Sequence, residues 1–280
     1  MGAEQHTDED RELSPDVEVN LAIHRAHSAR IYDYFLGGTT NFPADREAAA
    51  NALAVFPQAQ TGARANRAFM QRATRALAQA GIAQFLDIGT GIPTSPNLHE
   101  IAQQVNPRAR VVYADNDPIV LTHAQALLRS APQGRTAYVQ ADVCRPESLL
   151  EAVRATGVLN FTEPIALSLV ALLHFVPDGA AHEVTQTLKE ALTAPGSALV
   201  ISHFTPDYAP LEAARVTRVY RDTGTFVQPR PRQEFARFFA GWNLLNPGIA
   251  STLRWRPDPS AVVPATDADA SALAAVALRP

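Results

Sequence analysis

The chain has 280 residues, 46% of them hydrophobic, a formal net charge of -4 and a single cysteine, Cys144. This length can bury the core of one enzyme-sized domain with appendages, while the acidic balance excludes the basic footprint typical of nucleic-acid binding. One cysteine excludes an internal disulfide and a thiolate metal cage, and it is typical of a reducing compartment. With no apolar signal segment and no membrane-length apolar run, a cytoplasmic protein without membrane contact is predicted.

The N-terminal part is predicted to be an acidic tail followed by a helical cap. Residues 1–16 are acidic and poor in large apolar groups, which predicts a mobile tail. Residues 17–81 contain three helical patterns, each followed or preceded by glycine or capping residues. The first is expected to end at Gly37 and Gly38, and the other two are expected over residues 44–55 and 63–80.

From residue 82 onward, short apolar runs alternate with amphipathic stretches. The predicted strands are QFLDI, ARVVYA, TAYVQA, PIALSLVALL and SALVIS, and the predicted helices are NLHEIAQQV, PIVLTHAQALL, PESLLEAV and AAHEVTQTLKEAL. This alternation predicts an α/β domain over residues 82–280 with a doubly wound, mostly parallel sheet. Ligands of such sheets bind at the carboxyl ends of the strands.

The segment FLDIGTGIPTSPNLHE, at the end of the first strand, is the most informative. Gly89 and Gly91 flank Thr90, which allows a tight turn and close approach of the backbone to a ligand. A helix should begin soon after this turn. Either Ser95 caps it with Pro96 in the first helical position, or Asn97 and Glu100 form the capping pair.

The same loop favours one nucleotide cofactor over another. A dinucleotide fingerprint needs a third glycine three positions after Gly91, where Thr94 stands instead. Asp87 lies two residues before Gly89, and an acid there would repel a pyrophosphate but attract an ammonium or a sulfonium. The residues therefore favour S-adenosylmethionine over a nicotinamide dinucleotide.

Acidic residues also end the second and third predicted strands. Asp115, followed by Asn116, is placed where a carboxylate accepts hydrogen bonds from both hydroxyls of a ribose. Asp117 is interpreted as a helix cap before a proline. Asp142 could accept from an adenine amino group while the Val143 backbone contacts a ring nitrogen, although a single acid at a strand end is more often a cap.

Candidates for catalysis and for a lid are less strongly indicated. His174 and His203 follow the fourth and fifth strands and are candidate general bases, with a structural role as the alternative for each. No metal-binding pattern is found. The polar residues of the cap suggest a lid over the site, although a packed helical hairpin is the alternative. The proposed lid residues are Arg30, Tyr32, Tyr34, Gly38, Asn41 and Arg67.

An insertion at about residues 205–232 separates the fifth strand from the last ones. Its aromatic residues beside several arginines could bind an aromatic or an anionic acceptor. The alternative for Arg215, Arg218 and Arg221 is the solvated face of an amphipathic helix.

The segments FLDIGTGIPT, VVYADNDPIVL, YVQADV and ALLHFVPDG resemble, in this order, the motifs of class I S-adenosylmethionine-dependent methyltransferases. With ARIYDYFLGGTTNFPADREAA, ANRAFMQRA and WNLLNPG, they resemble a bacterial family known only as S-adenosyl methyltransferase, over residues 28–280. The resemblance implies a Rossmann-like sheet of seven strands whose last pair forms an antiparallel edge. It also implies how the cofactor is held: the methionine end by Asp87, Gly89, Thr90, Gly91 and Ser168, the ribose and adenine by Asp115 and Asn116, and the adenine edge by Asp142 and Val143.

The sequence therefore predicts a monomeric or homodimeric enzyme that transfers a methyl group from S-adenosylmethionine to a small molecule. A cofactor-binding sensor without transferase activity is the first alternative. A nicotinamide-dependent oxidoreductase is the second, and Thr94 and Asp87 argue against it.

Overall fold

A central sheet organises the protein in the computed structural model, which describes residues 23–127, 130–258 and 264–280. The predicted tail at residues 1–16, and residues 17–22 of the predicted cap, lie outside these ranges. The strands are β1 (Gln84–Ile88), β2 (Arg110–Asp115), β3 (Arg135–Gln140), β4 (Ala166–Val170), β5 (Ala198–Phe204), β6 (Asn243–Leu244), β7 (Ala250–Ser251) and β8 (Ala272–Leu278).

The strand order confirms the doubly wound prediction. It runs β3-β2-β1-β4-β5-β8-β6, and β7 pairs separately with β8. The first five strands are parallel, whereas β8 is antiparallel to β5 and to β6. The expected antiparallel edge is therefore present, although its outer strand β6 has two residues and β7 adds a second short one. Because β1 lies between β2 and β4, the connections diverge there, which is where such sheets form a ligand crevice.

Helices cover both faces of the sheet. Their bounds are α1 (Ser28–Leu36), α2 (Pro43–Val55), α3 (Ala59–Gln79), α4 (Leu98–Val105), α5 (Pro118–Leu127), α6 (Pro146–Ala155), α7 (Asp178–Ala191), α8 (Pro210–Asp222), α9 (Arg232–Arg237) and α10 (Asp267–Ala270). A 3-10 helix spans Leu173–Phe175. Leu86 and Val112 pack against α6, α7 and α9 on one face, while Phe85 and Val111 pack against α3 and α4 on the other. Apolar residues alternate between the two faces because successive side chains of a strand point in opposite directions.

The cap consists of α1, α2 and α3. The first helix ends where expected, because Gly37 takes the left-handed conformation that caps a helix (φ 83°). Ile31 and Phe35 on α1 pack against Ala48 and Ala49 on α2. The third helix begins four residues earlier than the predicted start at Ala63, since its first turn continues the apolar face of the cap.

The alternative caps proposed for the helix after β1 are now distinguished. Helix α4 begins at Leu98, and the Glu100 carboxylate accepts a hydrogen bond from the backbone amide of Asn97. Asn97 and Glu100 form the capping box, so the proposal that Ser95 caps this helix is wrong. Ser95 instead donates to the same Glu100 carboxylate at 3.1 Å.

Candidate functional site

A cavity of about 250 Å³ opens at the carboxyl ends of β1, β2, β4 and β5. The loops that follow these strands form its floor, and residues of the cap and of α8 form the opposite wall. This volume is near the lower end of the range of about 300–1,000 Å³ that is usual for small-molecule sites. The sheet therefore places the cavity where the strand pattern predicted a ligand.

The turn after β1 brings the backbone to the cavity wall. Gly89 and Gly91 both have a positive φ, 72° and 67°, a conformation that side chains with a Cβ rarely adopt. A Cβ on Gly89 would also lie 2.7 Å from Leu172 Cδ1. Both glycines are therefore required by the local geometry, and the turn leaves the backbone of Thr90 accessible to a ligand.

Asp87 is the acid at the end of β1 and lines the cavity. Its Oδ2 accepts a hydrogen bond from Thr90 Oγ1 at 3.0 Å. Burial raises the pKa of Asp87 to about 6, and the hydrogen bonds from Thr90 and Ser168 and the charge of Arg67 limit this rise. The raised pKa means that the surrounding groups compensate the negative charge of the buried carboxylate only in part. A cationic ligand beside it would stabilise the ionised form.

Asp115 ends β2 and faces the same turn. Its Oδ2 accepts from Gly91 N at 2.8 Å and its Oδ1 from Asp117 N at 3.0 Å. Each carboxylate oxygen keeps a second lone pair, so the side chain can still accept from two hydroxyls. Asn116 is exposed at the cavity wall. Asp117 caps α5 through a 2.9 Å bond from Ile119 N, the role expected for it.

The remaining cofactor candidates are placed differently from one another. Val143 lines the cavity, together with Ala141. Asp142 does not, because its exposed carboxylate turns back to accept from Cys144 N at 2.9 Å. Ser168 is buried beneath the floor, where it pairs in register with Asp87 and hydrogen-bonds to its carboxylate. The assignments of Asp142 to adenine and of Ser168 to the methionine end stay predictions.

Two predicted lid residues line the cavity, Tyr32 on α1 and Arg67 on α3. Tyr32 Oη donates to Ala63 O and accepts from Asn66 Nδ2, both at 2.9 Å. Asn66 Oδ1 in turn accepts from the Ser202 hydroxyl of β5. Arg67 donates to the carbonyls of Thr94 and Pro96 in the loop after β1. The cap is therefore hydrogen-bonded to the sheet on both sides of the cavity.

The other four predicted lid residues do not line the cavity. Arg30 is 2% exposed, and its Nε lies 3.3 Å from Asp117 Oδ2, which ties α1 to the start of α5. Asn41 Nδ2 donates to Asp33 Oδ2 at 2.8 Å, and a Cβ on Gly38 would overlap the Asp33 carboxylate. Tyr34 packs with the apolar residues of the cap. The structure differs from the lid prediction here because these residues contact protein groups in the cap or at the start of α5 instead of the cavity.

Both candidate histidines line the cavity, and at least one ring nitrogen of each already has a protein partner. His203 Nε2 lies 2.8 Å from Arg230 Nη1, and its Nδ1 lies 2.6 Å from Phe204 O. An arginine can only donate, so the proton of His203 is on Nδ1. His174 Nδ1 accepts from Phe204 N at 3.4 Å, which leaves its proton on Nε2. Burial, with the Arg230 charge, lowers the pKa of His174 to about 3.

Arg230 is the residue that sequence reasoning missed. It is fully buried and donates to Asp178 Oδ1 at 2.7 Å and to Leu173 O and Val176 O at 2.8 Å. These bonds fix the 3-10 helix that carries His174. A sequence signal existed, because the arginine stands between two prolines in QPRPRQ, but its partners Leu173, Val176 and Asp178 lie more than fifty residues away along the chain.

The rest of the cavity is apolar. It is built from the three cap helices, the 3-10 helix, the end of β5 and α8, and we call it the acceptor half; the part around Asp87, the glycine turn and Asp115 is the cofactor half. The acceptor half is lined by Phe35, Ala52, Phe56, Ala59, Gly62, Ala63, Met70, Phe175, Phe204, Val216, Tyr220 and Val227.

The residues present fit S-adenosylmethionine. The cofactor half offers the Asp87 carboxylate, whose charge is only partly compensated, and the Asp115 carboxylate, which has free lone pairs. The Gly89 to Gly91 turn adds a wall made of backbone atoms. A sulfonium with an ammonium and a ribose diol matches this donor and acceptor set. The fold and the site together define a class I S-adenosylmethionine-dependent methyltransferase.

Sequence and structure comparisons support this class. The family model described as S-adenosyl methyltransferase matches residues 15–280, so the chain belongs to that family. A DUF574 family protein from Streptomyces avermitilis is 47% identical, with 93% of this chain and 100% of that chain covered and a TM-score of 0.89. A methyltransferase candidate from Thermobifida fusca is 37% identical over 95% and 99% of the two chains, with a TM-score of 0.85. No curated protein matches.

Two further features concern the described part of the chain alone. Within residues 23–127, 130–258 and 264–280, no helix has both the length and the apolar character needed to cross a membrane. Over the same ranges, no cluster of three or more His, Cys, Asp or Glu side chains is arranged to hold a metal ion.

Proposed function

We propose that this methyltransferase acts on a small-molecule acceptor bound in the acceptor half of the cavity. The observation that carries the proposal is that one cavity joins a cofactor half with two carboxylates to an apolar half of separate origin. A recessed compartment of this kind beside the cofactor suits a small molecule rather than the surface of a macromolecule. It also argues for transfer rather than for sensing alone, because a sensor needs no second compartment.

The residues of the cofactor half have distinct roles in the proposal. When bound, S-adenosylmethionine supplies a methyl group already activated by its sulfonium sulfur. Asp87 pairs with the ammonium of the methionine end, and the Gly89 to Gly91 turn borders that end with backbone. Asp115 accepts from the ribose hydroxyls, and Asn116 and Val143 border the adenine.

The chain's contribution to catalysis is positioning and exclusion of water. The cap closes the cavity from the side opposite the strand ends, through the bonds of Tyr32 and Arg67. His174 keeps its proton on Nε2, so it acts as a hydrogen-bond donor at the cavity wall rather than as a general base. His203 supports the site through Arg230 and does not exchange a proton with the acceptor.

The proposed organisation follows from these roles. Helices α1 to α3, within residues 23–81, form the cap, the described residues from 82 onward form the catalytic domain, and the insertion at about residues 205–232 contributes α8 to the acceptor half. We place the enzyme in the cytoplasm, as a monomer or homodimer. The exposed thiol of Cys144 supports a reducing compartment.

Calorimetric titration with S-adenosylmethionine and S-adenosylhomocysteine tests the proposal. Asp115→Ala is expected to weaken binding by about 100-fold, equivalent to about 2.7 kcal/mol, since it removes the ribose acceptor and the bond to Gly91 N. Asp142→Ala is the matched control, an acid at the neighbouring strand end that does not line the cavity, and little change is expected. Absence of binding by the unmodified protein would overturn the cofactor assignment. Equal losses in the two variants would overturn the role of Asp115.

A further inference from the structure

The residues that line the acceptor half indicate which class of molecule accepts the methyl group. This inference rests on the proposed function, since it concerns the second compartment of the same cavity. The walls combine aromatic rings from the cap, the 3-10 helix and α8 with small residues of α2 and α3. Phe175 and Tyr220 lie 6.2 Å apart between ring centroids, and Ala52, Ala59 and Ala63 face the cavity from α2 and α3.

The small residues leave room for a flat ligand beside the rings. Gly62 could not be enlarged without cost, because a Cβ there would lie 3.0 Å from Ala270 O. Alanines of α2 and α3 lie among aromatic side chains of the cap, the 3-10 helix and α8, and Tyr220 packs against this cluster. Stacked or edge-to-face contacts with such rings favour an aromatic ligand.

None of the described side chains that line the acceptor half carries a formal charge near neutral pH. Burial raises the pKa values of Tyr32 and Tyr220, so both phenols stay protonated. His174 is neutral, because its pKa is lowered to about 3. The charged groups that reach the cavity include Asp87 and Asp115 in the cofactor half, and Arg67, which is held by the carbonyls of Thr94 and Pro96 in the loop after β1.

Three polar side chains of the acceptor half already have protein partners. Tyr32, Asn66 and Ser202 form one hydrogen-bonded chain, and Ser202 Oγ also accepts from Ala171 N at 2.9 Å. A charged group entering this compartment would lose its hydration without gaining an ion pair, which is costly in a protein interior. The compartment therefore selects against ionised ligands.

The orientation of α8 distinguishes the two acceptor classes left open by the sequence. Val216 and Tyr220 line the cavity, whereas Arg215, Arg218 and Arg221 are exposed on the opposite side of the helix. The arginines therefore form a solvated face and supply no counter-charge to an anionic acceptor. The helix presents its apolar side to the ligand.

We infer that the acceptor is an uncharged, planar aromatic molecule, bound against the aromatic rings that the cap, the 3-10 helix and α8 contribute to the acceptor half. Its recognition depends on shape and apolar contact, and a carboxylate, sulfonate or phosphate on the ring system is excluded. The specificity comes from α8 and the cap rather than from the strand ends.

A pair of fluorescent probes that differ by one sulfonate tests this inference. N-phenyl-1-naphthylamine is uncharged, and 8-anilino-1-naphthalenesulfonate has the same ring system with an anionic group. In fluorescence titrations of the full chain saturated with S-adenosylhomocysteine, the uncharged probe is expected to bind at least about tenfold more tightly, or about 1.4 kcal/mol. Equal or tighter binding of the sulfonate would overturn the inference.

Variants of α8 show whether the probe occupies this compartment. Val216→Asp should weaken binding of the uncharged probe by about tenfold or more, because it places a carboxylate in the wall. Val216→Asn separates the effect of charge from that of shape and should cost less. Leu211→Asp makes the same apolar-to-acid change at an exposed position of α8 and should change nothing. Unaltered probe binding by a folded Val216→Asp protein would overturn the assignment of the compartment.

The outcomes separate this inference from the proposed function. Calorimetry on the same protein without ligand measures S-adenosylhomocysteine binding, which depends on the cofactor half. Loss of that binding with a preserved preference for the uncharged probe would contradict the proposed function alone. Normal cofactor binding with a preference for the sulfonate would contradict only the uncharged acceptor.

Discussion

The two halves of the cavity are built on different principles. The cofactor half comes from consecutive strand ends, and its carboxylates Asp87 and Asp115 keep unsatisfied capacity for a ligand. The acceptor half comes from the cap, the 3-10 helix and α8, and its side chains Tyr32, Asn66 and Ser202 are already hydrogen-bonded to one another. One half binds by charge and hydrogen bonds, and the other by apolar contact.

This difference suggests a division of roles. The sheet supplies a site for a ligand of fixed structure, which is the cofactor, while appended elements supply the site that can vary with the acceptor. If so, the two halves should respond independently to substitution, except where one element supports both.

The largest loss of stability and binding is expected at Arg230, because it fixes the 3-10 helix that borders both halves of the cavity. Arg230→Ala removes the bonds to Leu173 O and Val176 O and leaves both carbonyls unpaired beneath the 3-10 helix. Removing one member of a buried charged network costs about 3–5 kcal/mol, although the exposure of Asp178 favours the lower end. Urea denaturation measures this loss, and both cofactor and probe binding should weaken together.

Arg232→Ala is the matched control for this prediction. Arg232 is exposed two residues further along and donates to Ile249 O at 2.7 Å. Its removal should cost less than about 1 kcal/mol. Arg230→Lys keeps the charge. If this variant binds one of the two ligands, the cofactor or the probe, with normal affinity and the other weakly, then the 3-10 helix does not support both halves.

The sequence predicted the sheet and the cofactor half because both depend on local patterns. Asp87, Gly89 and Gly91 lie within five residues of each other, and Asp115 ends the next strand, so strand order alone brings them together. Glycine is expected at positions 89 and 91 because the turn needs a positive φ there. These features could be deduced without knowledge of any distant contact.

The acceptor half and the supports of the site could not be deduced in this way. Arg30 is buried because Asp45 and Asp117 approach it from two other elements, and nothing in SARIYDYF indicates those partners. Arg230 pairs with an acid 52 residues earlier along the chain. Asp142 follows the same strand-end pattern as Asp115, yet it faces solvent, since the pattern fixes the position of a residue and not the direction of its side chain.

A pH dependence of intermediate size should belong to the cofactor half alone. In the free protein, the pKa of Asp87 is about 6, so binding of a cationic ligand below that pH must first displace a proton. Affinity for S-adenosylhomocysteine should therefore fall by up to about tenfold per pH unit below 6, and calorimetry between pH 5 and 8 measures this. Binding of the uncharged probe should not change over that range.

Asp87→Asn completes this prediction by separating stability from binding. A carboxyl whose pKa is raised on folding stabilises the protein when protonated, and this contribution is lost as the pH rises through about 6. At pH 7.5 the asparagine variant should therefore be more stable without ligand by about 1–2 kcal/mol and should bind the cofactor weakly with no pH dependence. A cofactor affinity of the unmodified protein that is constant from pH 5 to 8 would contradict the role of Asp87.

The smallest effect is expected at the border between the halves. Tyr32→Phe removes the donor to Ala63 O and the acceptor for Asn66 Nδ2, which should cost about 0.5–1.5 kcal/mol in the free energy of unfolding. Tyr34→Phe removes a hydroxyl from the same helix at a ring that does not line the cavity, and a smaller cost is expected. Because Tyr32 binds no part of the cofactor in the proposed arrangement, S-adenosylhomocysteine affinity should change by less than about threefold. A larger loss of cofactor affinity would mean that the hydrogen-bonded chain from Tyr32 through Asn66 to Ser202 couples the halves, and that the cap controls access to both ligands.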